Sequence, residues 1–524
     1  MPAADTVLTG ARVRTLDPGR PEARAVAVRG GLIVAVGGEG DVRDWRGPGT
    51  EVVDLGGATL TPGLTDAHSH PVWGIEMATG TDLSAVRDPD QLRAALRSAE
   101  RTRGWVVGHG LDHNAFGGQP VDRALIEDAL DGAPAFLRLY DGHSALASGA
   151  ALAAAGITGP RVFAQRSAVV CDAAGRPTGH LLEHAAMALV PKPAPAERRA
   201  RLLALLDAMA ATGLTGAHVM DLGDGDVPAL LATVEYEGHL PLRLRLAPWC
   251  MPGADEEELA GLVELQRLAG RHWQVGGVKF FMDGTVEGGT AWLEHADCHG
   301  QGTDAFWPDP RAYAHAVRVL DAAGVRTATH AIGDAAVCHV LDTVAALGGQ
   351  ARMRHRIEHI ETLPDDQLKR FAELGVIASM QPPHTAYTRA DHTDEWSRRL
   401  GEDRAGRAWR CRELRDAGAV LALGSDWPIA HYDARRVLVT ARSPHGAAAA
   451  GPALTGLMAL EGMTSHAALA AGEEQLGGRI AAGLRADLTA LALDPVTAGV
   501  DELAETPVLL TMSGGRITHR ADGI

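Results

Sequence analysis

The run Thr61-Pro62-Gly63-Leu64-Thr65-Asp66-Ala67-His68-Ser69-His70-Pro71 is the stretch on which the fold turns. Ahead of it, Glu51–Leu55 and Ala58–Leu60 read as short strands separated by Gly56-Gly57. In a strand, residues two apart project from the same face, so His68 and His70 can point at one atom. Pro71 then stops the ladder and leaves both imidazoles near a strand end. Many His-x-His pairs are ordinary surface histidines, so the pair needs support from the rest of the chain.

Working outward, apolar runs of strand length recur at Leu64–His68, Leu214–Asp221, Leu242–Trp249, Gly277–Met282, Val325–His330, Arg356–Ile360, Val376–Gln381 and Val420–Asp426. Amphipathic helical segments such as Arg199–Ala211, Glu256–Ala269, Pro310–Ala323, Ala335–Leu347 and Pro364–Leu374 separate most of them. Strand–helix alternation with nearly continuous apolar strands predicts a parallel sheet, and eight such units predict an α/β fold of the (β/α)8 TIM barrel type. An open doubly wound sheet is the alternative, but no Gly-x-Gly-x-x-Gly follows an early strand. The two termini are β-rich and punctuated by Gly30-Gly31 and Gly514-Gly515, which are hairpin signals. Residues 1–61 and 474–524 are therefore expected to form one composite β-sandwich around a barrel of residues 62–473. Residues 72–198 break the alternation as an insertion after the first strand, placed to line or cover a site at the barrel mouth. Lys192-Pro193-Ala194-Pro195 reads as the linker back into the barrel.

Composition narrows the function. The 524-residue chain is long enough for a large core, and its 46% hydrophobic and 22% charged content is ordinary for a soluble globular protein. A formal net charge of −17 argues against nucleic acid or an anionic membrane as partner. No run approaches the roughly 18 apolar residues a membrane span needs. Met1-Pro2-Ala3-Ala4-Asp5 shows no basic or apolar signal segment, so a cytoplasmic protein is expected. The five cysteines are scattered and never spaced Cys-x-x-Cys, which directs any metal to nitrogen and oxygen ligands.

Barrel enzymes place catalytic groups at the C-terminal ends of their strands. There stand His68 and His70 (first strand), Lys279 (fourth), His330 (fifth), His359 (sixth) and Asp426 (eighth). Such a set suits a divalent ion, zinc foremost with iron or manganese as alternatives, and leaves a position open for water. Each residue alone also has a purely structural reading. His330 can cap the next helix beside Asp334, His359 can be a half-buried sheet histidine, and Asp426 can cap a helix near Pro428. Lys279 is the sharpest single clue, because lysine is rare here: Lys192, Lys279 and Lys369 are the only ones. It lies in the apolar run Gly277–Met282, where a charge is costly to bury. Its structural reading is an ion pair with Asp283. A primary amine, unlike a guanidinium, can become neutral and take up CO2 as a carbamate.

Thr61–Pro71, Val278–Gly284, His330–Asp334, Arg356–His359 and Gly424–Pro428, in this order, resemble the amidohydrolase superfamily. Tyr140-Asp141-Gly142-His143-Ser144, Pro177-Thr178-Gly179 with Glu183, Gly213–Asp221 and Gln381-Pro382-Pro383-His384 resemble its family 3 branch, which includes N-substituted formamide deformylases. The resemblance implies that His68, His70 and Asp426 hold one metal. It implies that His330 and His359 hold a second or orient substrate, and that Lys279, when carboxylated, bridges two ions. One or two ions per chain are both compatible with it. His143 is expected to reach substrate, with Asp283, Gln381 and His384 as further substrate-binding candidates, although Pro382-Pro383 serves equally as a chain reversal. The implied chemistry is hydrolysis of a non-peptide C–N bond, in an amide or N-substituted formamide of a small molecule. Asp426, His330 and His359 carry the catalysis. Hydrolysis of a cyclic imide, lactone or ester on the same centre is the alternative reading. A non-catalytic assembly subunit is the remote one. A homodimer is the family-level expectation.

Overall fold

Strands buried on both faces need nearly continuous apolar side chains, and the central runs of this chain supply them. In the computed structural model, which describes residues 3–191, 198–223, 226–348 and 351–524, these eight runs and a short strand ahead of the fourth form nine parallel segments. They are β1 (Leu64–Ser69), β2 (Leu214–Val219), β3 (Arg243–Leu246), β4 (Trp273–Val275), β5 (Val278–Phe281), β6 (Thr327–Ala331), β7 (Arg356–His359), β8 (Ile377–Met380) and β9 (Leu421–Leu423). Two sheets result, ordered β4-β3-β2-β1 and β5-β6-β7-β8-β9, with every ladder parallel.

The sheets meet along both edges. On one side Lys279 N–H donates to Pro248 C=O and Cys250 N–H to Lys279 C=O, each at 2.9 Å, so the chain after β3 runs beside β5. On the other, Asp426 N–H donates to His68 C=O at 2.7 Å. Ser425 N–H donates to the buried Asp66 carboxylate of β1 at 2.9 Å. The sequence reading placed the fourth strand at Gly277–Met282, which is β5; the structure adds β4 ahead of it, a strand the sequence reading did not mark. The break between the two falls at Gly276-Gly277, where Gly277 has φ +129°, a conformation that glycine adopts readily.

The helices between the strands begin where the sequence signals them. Asp255 caps Glu256–Leu265 through the amides of Glu257 and Glu258, with Glu258 returning the contact in a capping box. Asp309 caps Pro310–Ala322, whose first residue is proline. Their apolar faces, including Leu259, Tyr313, Val317 and Leu320, enter one large core with the central strands.

The termini build two further sheets. One of four strands holds Thr6–Thr9, Ala25–Arg29, Leu32–Gly37 and Glu51–Asp54. One of six joins Arg12–Arg14, Glu22–Ala23 and Thr59–Pro62 to Leu488–Leu491, Val508–Ser513 and Arg516–Arg520. Leu8, Val26 and Val53 of the first share a core with Leu60, Leu488 and Leu510 of the second. Gly56-Gly57 therefore marks a crossing between sheets. The inserted segment carries its own seven-stranded sheet, including Trp105–Leu111, Ala135–Leu139, Ser144–Ala147 and Pro177–Leu182. The expected linker Lys192–Pro195 lies outside the described residues, as do Met1 and Pro2. No helix among the described residues is long and apolar enough to cross a membrane.

Gly424 sits on the seam between β9 and β1. A Cβ there would lie 2.5 Å from the backbone nitrogen of His68 and 2.7 Å from Asp66 Oδ1. Gly424→Ala is expected to destabilise the protein by about 1–3 kcal/mol, read as a lowered midpoint in urea unfolding with the m-value unchanged.

Candidate active site

The strand ends bring most of the candidate residues into one pocket of about 660 Å³. His68, His70, Lys279, His330, His359 and Asp426 all line it, and all are at least nine-tenths buried. Backbone conformation aims two of them. His359 has φ +76° and Asp426 φ +59°, a left-handed region that costs an ordinary L-residue roughly 1–2 kcal/mol. Non-glycine residues held there cluster at functional sites.

His68 Nδ1–H donates to Glu358 at 2.6 Å, and His70 Nδ1–H donates to Asp221 at 2.8 Å. A carboxylate only accepts, so each pair fixes its imidazole with the proton on Nδ1 and a lone pair on Nε2. Those two Nε2 atoms lie 3.4 and 3.3 Å from Asp426 Oδ1, and Lys279 Nζ lies 3.5 Å from His68 Nε2. Asp426 Oδ1 is buried without a hydrogen-bond partner. Separations of this size are long for hydrogen bonds. They match the edge of a tetrahedron with ligand bonds of 2.0–2.1 Å, which is about 3.3–3.4 Å.

On the other side of Asp426, His330 Nε2–H donates to Gly284 C=O at 2.9 Å, leaving its Nδ1 lone pair free. His359 Nδ1 has no hydrogen-bond partner and stands 3.9 Å from Asp426 Oδ2. Donor atoms of His68, His359 and Asp426 all fall within 4.8 Å of one another. Imidazole lone pairs fixed by outer hydrogen bonds, together with a carboxylate oxygen that nothing satisfies, are the pattern of metal ligands.

The electrostatics agree. Burial opposes a charge on His70, yet its bond to Asp221 and the nearby Asp426 carboxylate push its pKa up to about 9. Burial likewise opposes the Asp426 carboxylate, but His68, His70 and His384 hold it well below the usual range. A site that retains a proton on a buried imidazole attracts a cation. Burial and cationic neighbours hold His330 and His359 far below the ordinary histidine value, and therefore neutral. Burial brings Lys279 down to about 8, against the pull of Glu358 and Asp426. No ion pair joins Lys279 to Asp283 among the described residues.

The insertion supplies a wall. His143 lines the pocket, its Nδ1 2.8 Å from Glu183 Oε2, and Glu183 N–H donates to His143 C=O at 2.6 Å. Glu183 itself has φ +65°, so it grips His143 from both backbone and side chain. The 2.8 Å separation is that of a hydrogen bond, unlike the spacings around Asp426. His384 also lines the pocket, with Nε2 3.4 Å from Asp426 Oδ2.

Two candidates stand off the pocket wall. Asp283 does not line the pocket. Its carboxylate accepts from the backbone amides of Trp292, Ile332 and Gly333 at 2.8–3.0 Å, so it braces loops behind the wall. Gln381 is fully buried at the start of a 3-10 turn over Pro382–Tyr387 and also lies off the pocket wall. Asp221 and Glu358, which orient the first histidine pair, were not singled out from the sequence. Nor were His184, Glu287 and Glu361, which line the pocket.

Comparison with known proteins gives a consistent result. The model of the amidohydrolase family matches residues 51–519. The putative amidohydrolase YtcJ of Bacillus subtilis is 28% identical over 94% of this chain and 96% of its own length. The N-substituted formamide deformylase of Arthrobacter pascens is 28% identical over 99% of both chains. The crystal structure of an uncharacterized metal-dependent hydrolase from Pyrococcus horikoshii superposes with a TM-score of 0.73, at 22% identity, over 95% of this chain and 99% of that one.

The Glu358 and Asp221 contacts make a prediction. Glu358→Gln or Asp221→Asn weakens the outer hydrogen bond and should lower zinc affinity about 10- to 100-fold, measured by competition with a chromogenic chelator.

Proposed function

The chain belongs to the amidohydrolase family, in its family 3 branch, and we propose that it is a metal-dependent hydrolase cleaving a non-peptide C–N bond of a small molecule, an amide or an N-substituted formamide. One observation carries the reading: the unsatisfied Asp426 Oδ1, set 3.3–3.4 Å from two imidazole nitrogens whose protons are fixed on the far side of each ring. In this reading the two parallel sheets are a (β/α)8 barrel of residues 62–473. The terminal sheets are a composite β-sandwich of residues 1–61 and 474–524. The formamide deformylase, aligned along its whole length, suggests the substrate class.

His68, His70 and Asp426 would hold a divalent ion, zinc by preference for a nitrogen–oxygen set. His330 and His359 are placed to hold a second. When bound, such an ion supplies Lewis acidity and lowers the pKa of water to around 7.

The side chains do the remainder. Asp426, held ionised by its histidine neighbours, accepts a proton from the attacking water and returns it to the leaving nitrogen. The new C–O bond forms first as water adds to the carbonyl carbon, the C–N bond then breaks as its nitrogen takes the proton from Asp426, and the products are an amine and a carboxylic acid. His143, gripped by Glu183, presents its ring beside His330, with centroids 4.8 Å apart, and orients the carbonyl. Lys279, with its pKa near 8, keeps an appreciable neutral fraction at physiological pH. A neutral amine can add CO2 to give a carbamate and release one proton, converting a cation beside His68 into an anionic ligand.

Protein reconstituted with zinc should carry one or two ions per chain and hydrolyse members of a panel of N-formyl and N-acyl amines. Asp426→Ala and His68→Ala should each lower turnover by at least about a thousandfold, as removal of a group the reaction depends on does. Activity in chelated protein, or undiminished turnover in either variant, would overturn the reading. Lys279→Arg separates the carbamate from the rest: retention of both metal content and turnover would remove it.

A further inference from the structure

The pocket is lined by two chemically different sets of side chains. Imidazoles, Lys279 and Asp426 form one. The other consists of carboxylates and aromatic rings from four separate parts of the chain: Tyr140 and Asp141 of the insertion, Glu287 from the loop after β5, Glu361 after β7 and Tyr387 after β8. Most pocket carboxylates already have a cationic or potentially cationic partner. Asp141 lies 3.0 Å from His113, Glu361 lies 3.7 Å from His384, and Asp426 stands among its histidines. Glu287 is the exception: among the described residues no lysine, arginine or histidine forms an ion pair with it. It is 8% exposed and lines the pocket, and the Tyr140 hydroxyl donates to one of its oxygens. The Tyr140 ring stacks on Tyr387 at a centroid distance of 3.6 Å, placing aromatic faces beside the carboxylate.

A buried carboxylate without a countercharge is expensive, and proteins keep one chiefly where a ligand supplies the charge. We propose that Glu287 is a specificity residue that recognises a positively charged group on the substrate, a primary ammonium or similar cation, distinct from the scissile bond. The proposal rests on the reading of this pocket as the hydrolytic site. The carboxylate supplies a charge-assisted hydrogen bond, and Tyr140 and Tyr387 supply the aromatic surface on which cations settle. Burial and the nearby Glu361 carboxylate push the Glu287 pKa up to about 7, against the pull of the more distant His113 and of the Tyr140 hydrogen bond. The competing arrangement is a neutral Glu287 that serves as a hydrogen-bonding partner of Tyr140 and nothing more.

Uncleavable amide analogues distinguish the two. N-alkyl methanesulfonamides in two series of matched length, one ending in ammonium and the other in methyl, are titrated calorimetrically into the metal-loaded protein. The ammonium series is expected to bind about 10- to 100-fold more tightly at its best length, the range of a charge-assisted hydrogen bond. In Glu287→Gln that preference should collapse towards unity, and Glu287→Asp should retain part of it. Equal affinities, absence of binding by either series, or a preference that survives in Glu287→Gln would overturn the proposal. The comparison within the wild-type protein decides on its own if a variant does not fold. The corresponding N-formyl compounds, assayed for kcat/KM, separate this proposal from the hydrolase reading. A binding preference without turnover of any compound would count against hydrolysis alone, whereas turnover without preference would count against the role of Glu287 alone.

Discussion

The site depends on one buried ion pair inside the ring of strands. Arg356 and Glu358 stand two apart on β7 and so share its inward face. Arg356 Nε donates to Glu358 Oε1 at 2.6 Å and Nη2 to Oε2 at 2.9 Å. The same guanidinium reaches His218 of β2, Ala67 of β1 and Ser379 of β8. A charge buried this deeply must be satisfied on every side or removed, and here each partner comes from a different strand. Burial works against the Glu358 carboxylate, but Arg356 and then His68 hold it ionised well below the usual range. That ionised carboxylate is what keeps the proton on His68 Nδ1 and turns Nε2 toward Asp426. The packing of the strand interior and the protonation state of the candidate metal ligand are thus one constraint.

Much of this was legible in the sequence, for physical reasons that can be named. The central strands announced themselves because parallel strands buried on both faces cannot alternate apolar with polar residues. Histidines placed where those runs stop mark strand ends, and Lys279 stood out because a rare residue occupied an apolar run. Asp221 and Glu358 lie within or beside the same motifs but were not read as functional. Their work is to orient a histidine on another strand, a relation made by β1 approaching β2 and β7 in space. Glu287 was invisible for the same reason: its loop meets Tyr140 across nearly 150 residues of chain.

The two residues off the pocket wall teach the complementary point. Asp283 and Gln381 stand just past the ends of β5 and β8, where pocket residues are expected. Beyond a strand end, however, the direction of a side chain is set by the turn, not by the two-residue alternation of the strand. Asp283 turned to collect the three backbone amides of Trp292, Ile332 and Gly333, and Gln381 is buried at the head of a 3-10 segment whose amides it does not cap. His359 and Asp426 do face the pocket, and both do so through left-handed backbone, which a sequence does not advertise at histidine or aspartate.

Left-handed backbone at His359, Asp426 and Glu183, together with a buried carboxylate oxygen that lacks a partner, adds up to a site held in a costly arrangement. The surrounding core must enforce it, and the seam between β9 and β1 contributes, with Gly424 leaving no room for a methyl group. The division of labour follows. Residues that need a fixed geometry sit on or beside the strands, where backbone hydrogen bonds on both sides limit their movement. The pocket residues His143, His184 and Tyr140 come from the insertion, whose sheet and apolar cores are separate from those of the central strands. One wall of the pocket and the donor set around Asp426 are therefore packed by different parts of the chain.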